Sequence, residues 1–79
     1  MPIYTEDEQH KAYVRACDDV ESLRRAQSLE ELTYFKGHAL GYAQCLHDED
    51  VLSVEKFESL QCSLENVVAE CRVKLDRRQ

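Results

Sequence analysis

The first third of the chain carries apolar residues at the spacing of one helix face. Intervals of three and four residues connect Tyr13, Ala16, Cys17, Val20 and Leu23, as in an amphipathic helix. Thr5 and Glu8 stand at the two positions of a capping box, in which each residue hydrogen-bonds the backbone amide of the other. We therefore predict a first helix over residues 6–26.

A second apolar stripe follows, with its centre rotated by about a quarter turn at roughly 100° per residue. Its members are Leu29, Leu32, Phe35, Ala39, Tyr42, Ala43 and Leu46. Ser28 and Glu31 form a second capping box. These features predict a break near Gln27–Ser28 and a second helix over residues 29–47. The alternative is one continuous helix that changes its packing partner. The segment from His47 to Asp50 ends this helix, and its successive acids Asp48, Glu49 and Asp50 predict a loop, because acids are unfavourable at a helix C-terminus.

The third stripe is the most regular one, and it consists of Phe57, Leu60, Leu64, Val67, Cys71 and Leu75. Ser53 is the expected N-cap, and Leu52 and Phe57 occupy the positions of a hydrophobic staple. The third helix is predicted over residues 54–76. Its short connection to the second helix predicts an antiparallel pair.

These patterns predict an all-α fold for residues 1–79, taken as a single domain. It is an antiparallel hairpin of two long helices plus an N-terminal helix. Because a chain of 79 residues buries a small core, we expect a homodimeric helical bundle, with twofold symmetry as the commonest arrangement.

Both glycines of the chain, Gly37 and Gly41, lie inside the second helix. Each costs a helix roughly 1 kcal/mol relative to alanine, which indicates close approach of another backbone. That backbone belongs either to helix one or three of this chain or to a second copy. The candidate interface on this side comprises Tyr34, Gly37, His38, Gly41 and Cys45. Since the second helix has small or apolar residues around most of its circumference, we expect it to be central and buried between neighbours.

Charge narrows the choice of partners. The net charge is −6, which disfavours general binding to a nucleic-acid backbone. The candidate partner-binding residues are acidic: Glu30, Glu31, Asp48, Glu49 and Asp50. One basic patch is present as a candidate, formed by Arg15, Arg24 and Arg25. Pairing of these arginines with Asp18, Asp19 and Glu21 at helical spacing is the simpler interpretation.

Candidate chemistry is sparse. The four cysteines form no Cys-x-x-Cys pair, and we expect them to serve as small buried apolar residues. A calcium loop beginning at Asp48 would need glycine and glutamate where Ser53 and Ser59 stand. His38 and Cys45 lie about two helical turns apart, too far for a hydrogen bond. We therefore expect no enzymatic activity, no metal and no cofactor.

The sequence shows no membrane-spanning stretch. No apolar run approaches the ~20 residues that cross a bilayer. The acidic N-terminus is not typical of a signal peptide. A cytoplasmic location is therefore the expectation.

The stretch from Phe35 to Leu60 contains Gly-His-Ala-Leu-Gly-Tyr-Ala-Gln-Cys-Leu, then a short acidic turn, and then Leu-Ser-Val-Glu-Lys-Phe-Glu-Ser-Leu. At the level of pattern it resembles small helical proteins encoded by phages and other mobile elements. That resemblance implies binding to a host protein or a role as a small regulator.

We expect a non-catalytic, acidic interaction module that modulates or inhibits a host or cognate protein. One alternative is a transcription-related or RNA-binding helical regulator that uses the basic patch. The other is an acidic mimic of nucleic acid, of the anti-CRISPR or anti-restriction type.

Overall fold

The computed structural model describes residues 4–78 of the chain. Helix α1 spans Glu6–Ser22 and continues into a short 3-10 segment at Leu23–Arg25. Helix α2 spans Leu29–Asp48, and helix α3 spans Val54–Arg78. No strand occurs between residues 4 and 78, so the predicted all-α class is confirmed. The predicted single domain also included residues 1–3 and 79, and the N-terminus that we interpreted as no signal peptide includes residues 1–3. These positions lie outside the described residues.

Helix α1 begins with the full capping box. The Thr5 hydroxyl accepts the Glu8 amide at 3.1 Å, and the Thr5 amide donates to the Glu8 carboxylate at 3.1 Å. This second hydrogen bond to the Thr5 backbone lowers the pKa of Glu8. Two amides at the start of α1 that lack a helical partner are thus satisfied by the local sequence.

The predicted break between the first two helices is present. The last turn of α1 tightens into the 3-10 segment, and Ala26 then adopts an extended backbone conformation, with ψ 134°. Ser28 accepts the Glu31 amide at 3.1 Å and caps α2. The alternative of one continuous helix is therefore wrong. The 3-10 segment also places Leu23, which has 0% exposure, in the core.

Residues 49–53 connect α2 to α3. The Leu46 carbonyl accepts the amides of Val51 at 2.8 Å and Leu52 at 3.3 Å. Asp50 makes this closure possible, because it adopts φ 60° in the left-handed region that aspartate tolerates. The predicted end of the second helix at residue 47 is one residue early, because Asp48, which we predicted as loop, is the last residue of α2.

Ser53 accepts the Lys56 amide at 3.2 Å, and the two staple residues, Leu52 and Phe57, are both buried. The start of α3 is thus capped by a side chain and held by an apolar contact, as the sequence predicted.

One hydrophobic core runs along the three helices. All six predicted stripe residues of α3 are buried in it, and Val68 joins them. Helix α2 contributes Leu32, Ala39, Ala43 and Leu46, and α1 contributes Ala16 and Val20. The molecule measures 51 × 17 × 17 Å along its principal axes. So narrow a bundle covers only one side of each helix, which leaves long helix faces open.

Candidate protein-interaction surface

One face of α2 points away from the core. We call it the outer face and define it by Tyr34, Gly37, His38, Gly41 and Cys45. All five residues are exposed, and Tyr34 is 72% exposed. The predicted set therefore does lie together on one surface of the helix.

Neither glycine of the outer face packs against another helix among the described residues. A Cβ atom added to Gly37 or Gly41 would meet nothing there within 4 Å, although His38, at the edge of this face, lies 4.0 Å from Asp19 of α1. The intrachain explanation for the two glycines therefore does not hold, and the expectation that α2 is surrounded by neighbours is wrong. The physical reason is that the packing of α1 and α3 buries the side of α2 that carries Leu32, Ala39, Ala43 and Leu46, and the two glycines lie away from that side. Packing of a second copy on the glycines stays a prediction.

A groove between α1 and α2 borders the outer face. One recess of about 260 Å³ is lined by Asp19, Ser22, Tyr34, Phe35 and His38. A second of about 260 Å³ adjoins it and shares Asp19 and His38. We call these two recesses together the α1–α2 groove. Its lining combines aromatic rings and two carboxylates with Arg15, Ser22 and His38, and the rings and carboxylates suit contact with basic groups of a protein.

The two ends of the groove differ in charge. At one end the Arg15 guanidinium lies over the Tyr42 ring, 5.9 Å from its centroid. At the other end, the Tyr34 and Phe35 rings stand edge to face, with centroids 5.8 Å apart and an interplanar angle of 68°. The Asp19 carboxylate between them has one cation partner among the described residues, His38 at 4.0 Å, which is charged only when protonated.

All three arginines of the predicted basic patch are exposed, and among the described residues Arg24 alone of them forms ion pairs. Arg24 donates to Glu21 at 2.9 Å and to Glu70 at 2.7 Å. These contacts raise the pKa of Arg24, with the Glu70 hydrogen bond as the main cause, and lower the pKa of Glu70. Arg15 lies over Tyr42, and Arg25 is exposed. The interpretation of Arg24 as paired within the chain is thus correct for Glu21, and Glu70 is a partner that local spacing could not reveal.

The predicted acidic residues fall into two separate groups. Glu30 and Glu31 lie in the first turn of α2, whereas Asp48 and the exposed Glu49 and Asp50 lie at its other end. From residue 31 to residue 48 the helix rises about 26 Å, at ~1.5 Å per residue. The structure therefore does not bring these acids into one patch, and they flank the outer face instead.

The cysteines divide into two kinds. Cys71 is buried and its thiol donates to the Leu23 carbonyl at 3.5 Å, while Cys17 is half-buried. Cys45 and Cys62 are exposed, so the expectation of four buried cysteines is wrong for these two. Among residues 4–78, no three His, Cys, Asp or Glu side chains converge as metal ligands would.

A further cavity lies where α2 meets α3, and the sequence analysis missed it. Its volume is about 420 Å³, and its lining includes Gln9, His47, Asp50 and Lys56. The His47 ring stacks on Phe57 with centroids 4.6 Å apart. Its Nδ1 atom is buried and has no hydrogen-bond partner within the part of the chain described. The sequence signal for this cavity was an aromatic pair, with His47 at the end of α2 and Phe57 in the first turn of α3.

Comparisons with family models, with curated proteins and with solved structures find no match. Across residues 4–78, no helix combines the length and the apolar character needed to cross a membrane.

Proposed function

We propose that this chain is a small, non-catalytic protein that binds a host or cognate protein through the outer face of α2 and thereby modulates or inhibits it in the cytoplasm. The observation that carries the proposal is the exposure of Tyr34, 72%, beside two glycines with open space above them. A tyrosine presented on a helix is a common interface anchor.

The shape of the outer face supports close packing. Because Gly37 and Gly41 carry no side chain, a partner backbone can approach the axis of α2 more closely than at any larger residue. Each glycine costs the free monomer roughly 1 kcal/mol relative to alanine. A partner that packs on the glycine surface offsets this cost.

Charge supports a basic partner. The chain carries a net charge of −6, and acids lie at both ends of the outer face. Such a distribution attracts a positively charged surface and accelerates encounter with it. We therefore favour a basic protein surface as the target.

The arrangement of the helices follows from the chain length available to connect them. Five residues span at most ~17 Å, whereas a parallel arrangement would require the connection to return along α2, whose 20 residues are about 30 Å long. We propose that α2 and α3 form an antiparallel hairpin, because the connection cannot carry the chain back along α2.

We also propose that two copies form a homodimer. A second exposed row, formed by Cys62, Ala69 and Val73 on α3, offers an apolar contact surface, and Val73 is 51% exposed. Light scattering after gel filtration would give the molar mass. A monomer at tens of micromolar would contradict the dimer. Loss of the dimer in Val73→Glu would assign it to α3, and loss in Gly41→Leu would assign it to α2.

The two alternative functions predict different partners. An RNA-binding regulator would need the basic patch, in which Arg24 is ion-paired with Glu21 and Glu70. An acidic mimic of nucleic acid would need carboxylates along one continuous face, whereas those of α2 cluster at its ends. Both are therefore less well supported than protein binding.

Affinity capture from the native cell tests the proposal. We expect the wild-type chain to retain a specific protein and Gly41→Leu to lose it, since the leucine fills the space above the glycine. Ser63→Leu adds the same side chain at an exposed position of α3 and should retain the protein. Equal capture by all three chains, or capture of nucleic acid alone, would contradict the proposal.

A further inference from the structure

We propose that the recess formed by Asp19, Tyr34, Phe35 and His38 accepts a basic side chain, arginine above all, from the partner protein. This inference rests on the proposed function, because it names the chemistry by which the outer face would recognise its target. The occupant is a side chain of another protein, not a free metabolite.

The recess is lined by two aromatic rings and a carboxylate, which are groups that bind cations. The Tyr34 and Phe35 rings form a corner, with centroids 5.8 Å apart and planes inclined by 68°. Aromatic faces attract a guanidinium or ammonium group placed within about 6 Å of the ring centroid. The Asp19 carboxylate completes the site with the opposite charge, and its side chain is 29% exposed, so a ligand can reach it.

A contact between a cation and an aromatic ring is already present within the chain, in the adjoining recess of the groove. There, the Arg15 guanidinium lies 5.9 Å above the Tyr42 ring, and the lining includes Asp18 and Asp19. The groove thus already holds one cation on an aromatic ring. At the Tyr34 end the rings and the carboxylate are present, and among the described residues no lysine or arginine comes within 4.0 Å of Asp19.

Charge complementarity selects the occupant. A net charge of −6 repels an acidic peptide and attracts a basic one. Arginine suits the recess better than lysine does, because its planar guanidinium stacks on rings and can also bind a carboxylate with two hydrogen bonds.

The test is an NMR titration of the ¹⁵N-labelled chain with the blocked tripeptide Gly-Arg-Gly, alongside the same peptide with neutral citrulline in place of arginine. We expect saturable shifts of amides near Asp19, Tyr34 and His38 with the arginine peptide only. Equal binding of both peptides, absence of saturable shifts, or shifts spread over Glu30 and Asp50 would overturn the proposal.

Substitutions distinguish binding in the recess from general electrostatic attraction of a basic peptide to the acidic chain. Asp19→Asn and Tyr34→Ala should each weaken binding about two- to fivefold, the range for ion pairs and cation–ring contacts near a surface. Tyr34→Phe keeps the ring and should bind like the wild type. Glu58→Gln makes the same charge change as Asp19→Asn at an exposed site on α3 and should also leave binding unchanged. An equal loss in Asp19→Asn and Glu58→Gln would refute the site.

Two outcomes distinguish this proposal from the broader function. If the arginine peptide fails to bind while Gly41→Leu still abolishes capture of the protein partner, the recess is refuted and the outer face is not. If a single-stranded oligonucleotide of thymidines shifts Tyr34 and the arginine peptide does not, the rings serve base stacking, and the proposal is overturned.

Discussion

Replacing both outer-face glycines by alanine should stabilise the isolated chain. Gly37 and Gly41 lie inside α2 with negative φ, so alanine fits the backbone without strain. Their added Cβ atoms would meet nothing within 4 Å in the part of the chain that the structure describes. Neither a steric clash nor a lost contact therefore opposes the gain in helix propensity.

The expected size of this gain follows from helix propensity alone. Each substitution contributes about 1 kcal/mol, so the double variant should gain about 2 kcal/mol in the free energy of unfolding. For a domain of this length, 1 kcal/mol corresponds to roughly 4–8 °C in Tm. Two substitutions should thus raise the Tm by about 8–16 °C, a change well above experimental error.

Urea unfolding followed by circular dichroism, at a concentration where light scattering shows a monomer, measures the effect. Ser63→Ala, at an exposed helical position of α3, serves as the control and should gain about 0.5 kcal/mol. Destabilisation of the Gly37→Ala, Gly41→Ala monomer would contradict the open space above the two glycines, because it would mean that this chain packs against them. Destabilisation that appears only at higher concentration would instead place a second copy on them.

Three further substitutions test the packing of the core and one ion pair at the surface. His47→Phe keeps the ring stacked on Phe57 and removes the unpartnered buried Nδ1, so urea unfolding should show a gain of about 1 kcal/mol; a loss would mean that this nitrogen is hydrogen-bonded. Arg24 lowers the pKa of Glu70 from its ordinary value of 4.5, so their contact stabilises the fold above pH 4.5 and weakens as the pH falls below it. Glu70→Gln should therefore flatten the acidic side of the Tm profile, and an unchanged profile would contradict the pair. Leu23→Ala should cost about 3 kcal/mol in chemical denaturation, because the side chain is fully buried; a loss below about 1 kcal/mol would exclude the 3-10 segment from the core.

Local sequence signals were sufficient for the three helices and for the caps at their starts, whereas the predicted ends at residues 26, 47 and 76 differ from the observed ends at Ser22, Asp48 and Arg78. The hydrogen bonds that Thr5, Ser28 and Ser53 accept each lie within three residues, so they could be predicted without knowledge of the fold. The stripe from Phe57 to Leu75 is buried as its spacing indicated, since regular intervals leave one choice of buried face.

Features that depend on tertiary packing could not be predicted in this way. Arg24 and Glu70 are separated by 46 residues, and no local spacing connects them. Asp19 and His38 meet across two helices for the same reason. The side of α2 that carries Tyr34 and Gly41 is apolar or small enough to be buried, and it is exposed because three helices provide only one neighbouring surface for it.

The central claim is that the outer face of α2 contacts another protein. The most direct measurement is photo-crosslinking in the native cell, with benzoylphenylalanine at position 34 and, as control, at exposed position 58 of α3. We expect a discrete protein adduct from position 34 and none from position 58. Adducts of equal yield from both positions, or no adduct from position 34, would contradict it.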